Sequence, residues 1–283
     1  MHPLGRKRDL FDAISCFVRG YNYMAPFVFE EYVISDNAVL TIIDIENIDE
    51  ATKAALDANF VLICEGNSGS SLSTVKMRVR NLFSSKNPEW IMGATAEFFV
   101  HLYIRLAGFK QECLFFNLEE NSIKKGFDGY YSKEGLEWLM ESKAGSIDSK
   151  DISHAGKVNL AMNDLSAKVS GRDKSGKKEL PNNPWQEAYS HANQYDVGTA
   201  ANIRKNIKEL ADDFTNGKFR SIEEFNTMPC GTVFLSGIWS QPDHNLIKGD
   251  IKRLSGKLKG KQIHVICVTH RSTDLFIKYI ESE

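Results

Sequence analysis

The chain has 283 residues, of which 42% are hydrophobic and 25% are charged, a composition typical of a globular protein with a sizeable core. Its formal net charge of −2 excludes a strong basic field over the whole molecule, so contact with nucleic acid would need a local basic patch or a partner. The five cysteines include no C-x-x-C pair, which argues against a zinc site or a disulfide framework and favours a reducing cytoplasm. No apolar run approaches the length of a membrane span.

The first 70 residues are predicted to form a small N-terminal α/β lobe that could dock a partner. The lobe begins with an amphipathic helix that carries Phe11, Ile14 and Val18 on one face, and this interrupted segment is not typical of a signal peptide. The elements that follow are predicted to be a hairpin of strands at 26–34 and 38–43, a helix at 49–59, a buried strand at 60–64 and a loop at 65–71.

Residues 71–283 are predicted to form a second α/β unit. The pattern indicates helices at 72–83 and 88–107, followed by strands at 112–118, 126–131 and 136–143, the last two joined by a turn at 132–135. Next come a helix at 148–169, a polar loop at 170–179, helices at 184–194 and 199–214, buried strands at 231–239 and 262–269, and a final helix at 272–280. This order places three strands side by side, with a helix before and a helix after them.

Charged residues on the predicted hairpin are the candidate active site. Glu141 and Lys143 are two residues apart, so on a strand their side chains point to the same face, and Asp128 on the neighbouring strand can approach them. Charged side chains avoid the interior unless they are paired or bind a metal ion. Phosphodiester hydrolysis uses such a set, because two carboxylates can hold Mg²⁺ while a lysine orients the attacking water or stabilises the developing charge.

Glu97, on the helix that precedes these strands, is predicted to complete the site by holding a ligand water or a second metal ion. The candidate catalytic residues are therefore Asp128, Glu141, Lys143 and Glu97, of which the three acidic ones are candidate metal ligands. Each has a simpler interpretation when it is taken alone. An Asp before Gly is often a turn residue, a Glu-x-Lys pair on a strand is often an exposed cross-strand pair, and a single helical Glu often lies on the surface.

The motifs Gly126-Phe127-Asp128-Gly129 and Glu141-Ser142-Lys143 together resemble those of the PD-(D/E)XK nuclease superfamily, with Phe127 where the motif has its proline. More narrowly, residues 90–145 resemble the HamA family, the nuclease subunits of the bacterial Hachiman anti-phage defence system. The segment Gly93-Ala94-Thr95-Ala96-Glu97 contributes to this second resemblance.

The resemblance implies an α/β fold with a restriction-endonuclease-like core, a mixed central sheet flanked by helices. It implies a deoxyribonuclease that uses Mg²⁺ or Mn²⁺. It also implies a heterodimer with a helicase subunit of the HamB type, which restrains the nuclease and delivers it to DNA. Two other functions stay open: a non-catalytic adaptor module of a helicase complex, and an RNase on the same fold.

Two basic runs outside this site each have two interpretations. They are either solvated segments or contacts to a DNA backbone, because phosphates attract clusters of cations whatever the base sequence. The first run comprises Lys168, Arg172, Lys174, Lys177 and Lys178, and the second comprises Lys248, Lys252, Arg253, Lys257, Lys259 and Lys261.

Overall fold

The computed structural model of the chain describes residues 26–117, 122–123, 126–172 and 182–282. The helix predicted around residues 11–18 lies outside the described residues, as does most of the loop predicted at 170–179. The strands are β1 (Val28–Ser35), β2 (Ala38–Ile45), β3 (Lys110–Gln111), β4 (Phe116–Asn117), β5 (Ser122–Ile123), β6 (Gly129–Lys133), β7 (Leu136–Ser146), β8 (Asn226–Phe234) and β9 (Ile263–His270).

Seven of these strands form one mixed sheet in the order β1-β2-β9-β8-β7-β6-β3, and β4 pairs with β5 in a separate ladder. The central strands β2, β9, β8 and β7 run parallel to one another. Strand β1 is antiparallel to β2 at one edge, and β6 and β3 continue the sheet in antiparallel pairing beyond β7. Parallel neighbours need crossover connections, which helices commonly supply.

Eight α-helices accompany the strands in the described part of the chain. They are α1 (Glu50–Glu65), α2 (Leu72–Phe83), α3 (Pro88–Leu106), α4 (His154–Ser170), α5 (Pro184–Ala192), α6 (Ala201–Thr215), α7 (His244–Leu254) and α8 (Thr273–Glu281). Most of them start at a polar residue whose side chain accepts a hydrogen bond from a backbone N–H of the first turn. These N-cap residues are Asp49, Ser71, Asn87, Ser153, Asn183, Asp243 and Ser272.

The two faces of the sheet are covered by different helices. Helices α1, α2, α3 and α8 pack on one face in a core cluster that includes Met140 of β7. Helices α4, α5 and α6 pack on the opposite face around Leu139, and α4 and α7 cover β2 and β9 on that same side. Because neighbouring residues of a strand alternate between faces, Glu141 and Lys143 lie on the α4 side with Leu139.

The α/β class is confirmed, and so are several predicted elements. The hairpin of β1 and β2, helices α2 and α3, and the final helix lie where the sequence predicts them. The predicted turn at 132–135 is tighter than expected, because only Glu134 and Gly135 connect β6 to β7. Both have positive φ, at 51° and 78°, as a two-residue type I′ turn requires.

Other predicted boundaries are wrong. The strand predicted at 60–64 is the last part of α1, where Phe60, Ile63 and Cys64 continue the buried stripe that Leu56 begins. Short apolar runs fit a strand and a buried helix equally well, so their spacing alone does not separate the two. The strand predicted at 231–239 is β8, which begins at Asn226 and contains Pro229 within it.

Two more predicted elements are shifted. The strand predicted at 112–118 is replaced by the short β3 and β4, and the helix predicted from residue 148 begins only at His154, where Ser153 caps it.

The first two strands belong to the same sheet as the rest of the described chain. β2 pairs with β9 in parallel from Ala38↔Ile263 to Ile45↔His270. Residues of α1 and of α8 meet in one core cluster, where the Phe60 and Phe276 rings lie 6.2 Å apart. Residues 26–70 therefore share their sheet and core with the later elements, whereas the sequence predicts a lobe that ends at residue 70.

No helix in the described ranges combines the length and the hydrophobicity that crossing a lipid bilayer requires. The cysteines described by the structure, Cys64, Cys113, Cys230 and Cys267, are all buried, and none of these four is in a disulfide bond. Cys16 lies outside the described residues.

Buried histidines on β9 make the fold sensitive to acid. Burial lowers the pKa of His264 to about 4 and that of His270 to about 3, from an ordinary value of 6.5. His264 Nε2 lies 2.8 Å from Thr41 Oγ1, and the His270 ring packs between Phe99 and Phe234. The unfolded chain therefore binds more protons than the folded chain between these pKa values.

We expect the free energy of unfolding to be fully present above about pH 6.5 and to fall progressively towards pH 4. Urea unfolding measured at several pH values between 7 and 4 checks this expectation. The His264→Gln variant, which keeps a polar group near Thr41 but does not titrate, should show a shallower decline. An unchanged slope in this variant would exclude His264 as a source of the acid sensitivity.

Candidate active site

The β6–β7 hairpin brings Asp128 next to Glu141. In its register Gly129 lies opposite Met140, so Asp128 reaches the start of the Glu-x-Lys segment. Asp128 Oδ2 accepts a hydrogen bond of 2.9 Å from the backbone N–H of Ser142. A Cβ on Gly129 would lie 2.5 Å from the ring of Tyr131 and 2.9 Å from Met140 Cε. Glycine after Asp128 therefore allows the two strands to approach this closely.

The carboxylate of Glu141 is buried between two ammonium groups, with 1% of the residue exposed. Lys143 Nζ donates to Oε1 at 2.6 Å, and Lys168 Nζ of helix α4 donates to Oε2 at 2.6 Å. Lys168 also donates to the carbonyl oxygen of Gly126 at 2.5 Å. Both oxygens of Glu141 are thus hydrogen-bonded to cations, which is the condition under which a carboxylate is stable in the interior.

A third carboxylate, Asp164 of α4, lies on the other side of Lys143. Its Oδ2 is 3.0 Å from Lys143 Nζ. Asp164 and Lys168 are four residues apart on α4, so both side chains point towards β7. We call Asp128, Glu141, Lys143, Asp164 and Lys168 the acid–lysine cluster.

The cluster is strongly coupled electrostatically. Burial and then the charge of Asp128 raise the pKa of Glu141 above its usual value. Burial alone would lower the pKa of Lys143 and of Lys168, but the neighbouring carboxylates Glu141 and Asp128 raise both. The lysines are therefore held in their charged form. Three carboxylates and two ammonium groups leave the cluster with a formal charge of −1.

Glu97 contacts a buried histidine of its own helix on the other face of the sheet. Its Oε1 lies 3.3 Å from Nε2 of His101, one turn further along α3, and His101 Nδ1 is hydrogen-bonded to the hydroxyl of Tyr131. Tyr131 belongs to the core cluster on the α3 side of the sheet, opposite to the face that carries Lys143 and Asp164. A role for Glu97 in a metal site stays a prediction that these contacts do not support.

Sequence reasoning missed Asp164 entirely and assigned Lys168 to a basic run near a loop. Both lie on a helix whose apolar stripe includes Ala161, Leu165 and Val169. A charged residue inside such a stripe is a signal for a buried ion pair, since burial of an unpaired charge is costly. Asp164, directly before Leu165, could have been found in this way.

Comparisons with known proteins add nothing to this geometry. No protein-family model matches the chain, and no curated protein matches it either.

The donor set fits a divalent cation in part. No group of three or more His, Cys, Asp and Glu side chains is arranged to hold a metal ion in the described ranges, so the predicted ligand set of Asp128, Glu141 and Glu97 is not assembled. Asp128 and Glu141 are nevertheless adjacent carboxylates, the hard oxygen donors that Mg²⁺ and Mn²⁺ take. The excess negative charge of the cluster also favours a cation, provided that Lys168 releases Glu141 Oε2.

The Glu141→Ala substitution should destabilise the fold, because it leaves Lys143 and Lys168 without the carboxylate that compensates their burial. We expect a loss of about 3 kcal/mol in the free energy of unfolding, at the low end for a broken buried ion pair, because the two lysine side chains are 27% and 22% exposed. The double variant Glu141→Ala/Lys168→Met should recover part of this loss, with a coupling energy of about 1 kcal/mol or more. Denaturant unfolding of the two single variants and the double variant measures the coupling. Strictly additive effects would show that the two side chains do not interact energetically.

Proposed function

We propose that the chain is a metal-dependent deoxyribonuclease of the PD-(D/E)XK type. The observation that carries this proposal is the adjacency of Asp128, Glu141 and Lys143 on a hairpin, with Lys143 held between two carboxylates. The order of elements supports it: α3 precedes the antiparallel strands β3, β6 and β7, and α4 leads on towards β8, which is parallel to β7. This arrangement agrees with the core that the sequence resemblance implies.

Asp128 and Glu141 are the residues that would hold the metal ion. A bound Mg²⁺ or Mn²⁺ would supply Lewis-acid polarisation of the phosphate and a more acidic water. Lys143 would present a fixed positive charge to the phosphate oxygens as negative charge develops there. Asp164 holds the Lys143 ammonium at 3.0 Å, which restricts its position, and the Ser142 N–H holds one oxygen of Asp128.

We further propose that the chain acts as an effector subunit of an anti-phage defence complex with a helicase partner. This step is supported by the resemblance to the HamA family and by the net charge of −2. A chain without an overall basic field gains little from long-range attraction to DNA, so a helicase subunit that grips DNA would compensate.

Substitutions at the cluster should abolish cleavage without unfolding the chain. We expect Glu141→Gln and Lys143→Met each to reduce Mg²⁺-dependent nicking of plasmid DNA by at least about a hundredfold. Glu141→Gln removes a carboxylate that would hold the metal ion, and Lys143→Met removes the positive charge that would face the reacting phosphate. Glu137→Gln is the matched control, because Glu137 lies on the same strand and face but about 13 Å from Glu141 along β7. Parallel assays with RNA separate a deoxyribonuclease from an RNase. Wild-type cleavage by the Glu141→Gln/Lys143→Met double variant would refute the proposed active site.

Lys168 donates a hydrogen bond to Glu141 Oε2, so its ammonium group would compete with a metal ion for this oxygen. Removing its charge with Lys168→Met should therefore strengthen Mn²⁺ binding by at least about tenfold, because a neighbouring unit charge contributes several kcal/mol even at moderate dielectric. Isothermal titration calorimetry with Mn²⁺ measures this change in the absence of DNA or a partner. Lys157→Met, which removes a lysine of α4 outside the cluster, should leave the affinity unchanged. Weaker binding in Lys168→Met would show instead that Lys168 supports the metal site.

A further inference from the structure

A polar cavity of about 580 Å³ lies beside the C-terminal half of α4 and is separate from the acid–lysine cluster. Helix α4 lines it with Asn163, Ser166 and Ser170, and the lining also includes Arg172, just after the end of α4, together with Arg220 and Lys259. Asp164 and Lys168, which point to the cluster, alternate with the cavity residues along the helix. We call this space the α4 cavity.

The α4 cavity joins the two basic runs that are far apart in the sequence. Arg172 comes from the run that begins at Lys168, and Lys259 comes from the run between residues 248 and 261. They meet because α4 returns along β7 and β8 towards the amino ends of these strands, where the segment before β9 also passes. Lys259 is held at this point by its backbone, since its carbonyl oxygen accepts a hydrogen bond of 2.9 Å from Thr227 Oγ1.

The cations of the α4 cavity can exchange their carboxylate partners for a bound anion. The cavity lining contains three cationic side chains and one carboxylate, Glu223, and two further carboxylates, Asp213 and Glu224, lie beside Arg220. Two of the cations already form exposed ion pairs: Lys259 Nζ lies 3.4 Å from Glu223, and Arg220 lies 2.6 Å from Asp213 and 3.6 Å from Glu224. Exposed pairs of this kind contribute little stability, so a phosphate can replace their carboxylate partners. Arginine binds phosphate with two parallel hydrogen bonds, which favours this exchange.

The hydroxyl and amide groups of α4 can also donate hydrogen bonds to a phosphate in the cavity. Ser166 and Ser170 at present donate to carbonyl oxygens of their own helix, Met162 and Ala167, and a hydroxyl can rotate to donate to a phosphate oxygen instead. Such side chains are common contacts to the sugar–phosphate backbone. Ala167 and Ile222 add apolar surface, but the wall offers no aromatic platform on which a base could stack.

We infer that the α4 cavity binds the phosphodiester backbone of the nucleic-acid strand that reaches the acid–lysine cluster. This inference rests on the proposed nuclease function for the identity of the strand. Residues 163 to 170 of α4 span about 10 Å along the helix axis, and the same stretch contains both Lys168 and the cavity residues. The cavity and the cluster therefore lie within about 10 Å of each other along the axis of α4, a distance that one nucleic-acid strand can span.

The test measures binding in the cleavage-deficient Glu141→Gln chain. Fluorescence anisotropy with a labelled DNA duplex, over a salt series from roughly 50 to 200 mM, gives the slope of log K against log salt concentration. We expect Lys259→Gln to weaken binding about tenfold and to reduce the slope by about one, and Arg172→Gln/Lys259→Gln to reduce it by about two. Lys252→Gln removes an exposed lysine of the same basic run outside the cavity, and it should change the slope little.

Two results would overturn the inference. One is equal effects of Lys252→Gln and Lys259→Gln, which would indicate general charge attraction rather than a site. The other is tight binding of inorganic pyrophosphate that Lys259→Gln weakens, while the same substitution leaves duplex binding unchanged. That result would make the cavity a site for small anions. Urea unfolding checks that each variant is folded. Cleavage by the wild-type chain is assayed separately. A chain that does not cleave DNA is therefore distinguished from a chain that cleaves DNA but does not bind it through the cavity.

Discussion

The buried carboxylate of Glu141, hydrogen-bonded to Lys143 and Lys168, is the interaction on which the candidate active site depends. It joins strand β7 to helix α4 through groups that cannot be left unpaired in the interior without a cost of several kcal/mol. Lys168 extends the connection to the carbonyl oxygen of Gly126, just before Asp128. Three segments that are distant in sequence are therefore held in one arrangement by a single acidic side chain.

The same arrangement gives the two lysines different positions relative to a substrate. Lys143 is carried by a central strand and held by carboxylates on both sides, so its ammonium group is restricted in place. Lys168 is carried by a helix near its C-terminal end and contacts one oxygen of Glu141 and one backbone carbonyl. A helix end can shift more easily than a central strand, because fewer hydrogen-bonded neighbours restrain it. The cluster thus combines a fixed cation and a displaceable one.

Local patterns in the sequence were sufficient for part of this site. The two-residue period of a strand places Glu141 and Lys143 on one face, and a glycine-containing turn predicts the hairpin that brings Asp128 near. Asp164 and Lys168 share a helix face by their spacing, but the sequence does not state which strand that face meets. Glu97 was assigned to the site for the same reason, since the local sequence does not show which face of the sheet α3 covers.

For the fold as well, local elements were easier to predict than the pairing of strands that are distant in the sequence. Helices α2, α3, α5 and α8 were predicted to within a few residues, whereas α7 was not predicted and α1 and α4 each have one boundary six residues away from the predicted one. The partner of β2 could not be predicted because β9 lies at the far end of the chain. Residues 26–70 therefore looked like a lobe of their own. The apolar run at 60–64 was misassigned because a helix and a strand can both bury five consecutive apolar residues when other elements surround them.

Each face of helix α4 between residues 161 and 170 meets a different structural requirement. Ala161, Leu165 and Val169 are buried in the core, Asp164 and Lys168 belong to the ionic cluster, and a polar face lines the adjoining cavity. Most surface helices tolerate many replacements on the side that faces water. Between residues 161 and 170 of α4 a replacement at almost any position alters packing, charge balance or the cavity wall, so this half of the helix should be among the least tolerant segments of the chain to mutation.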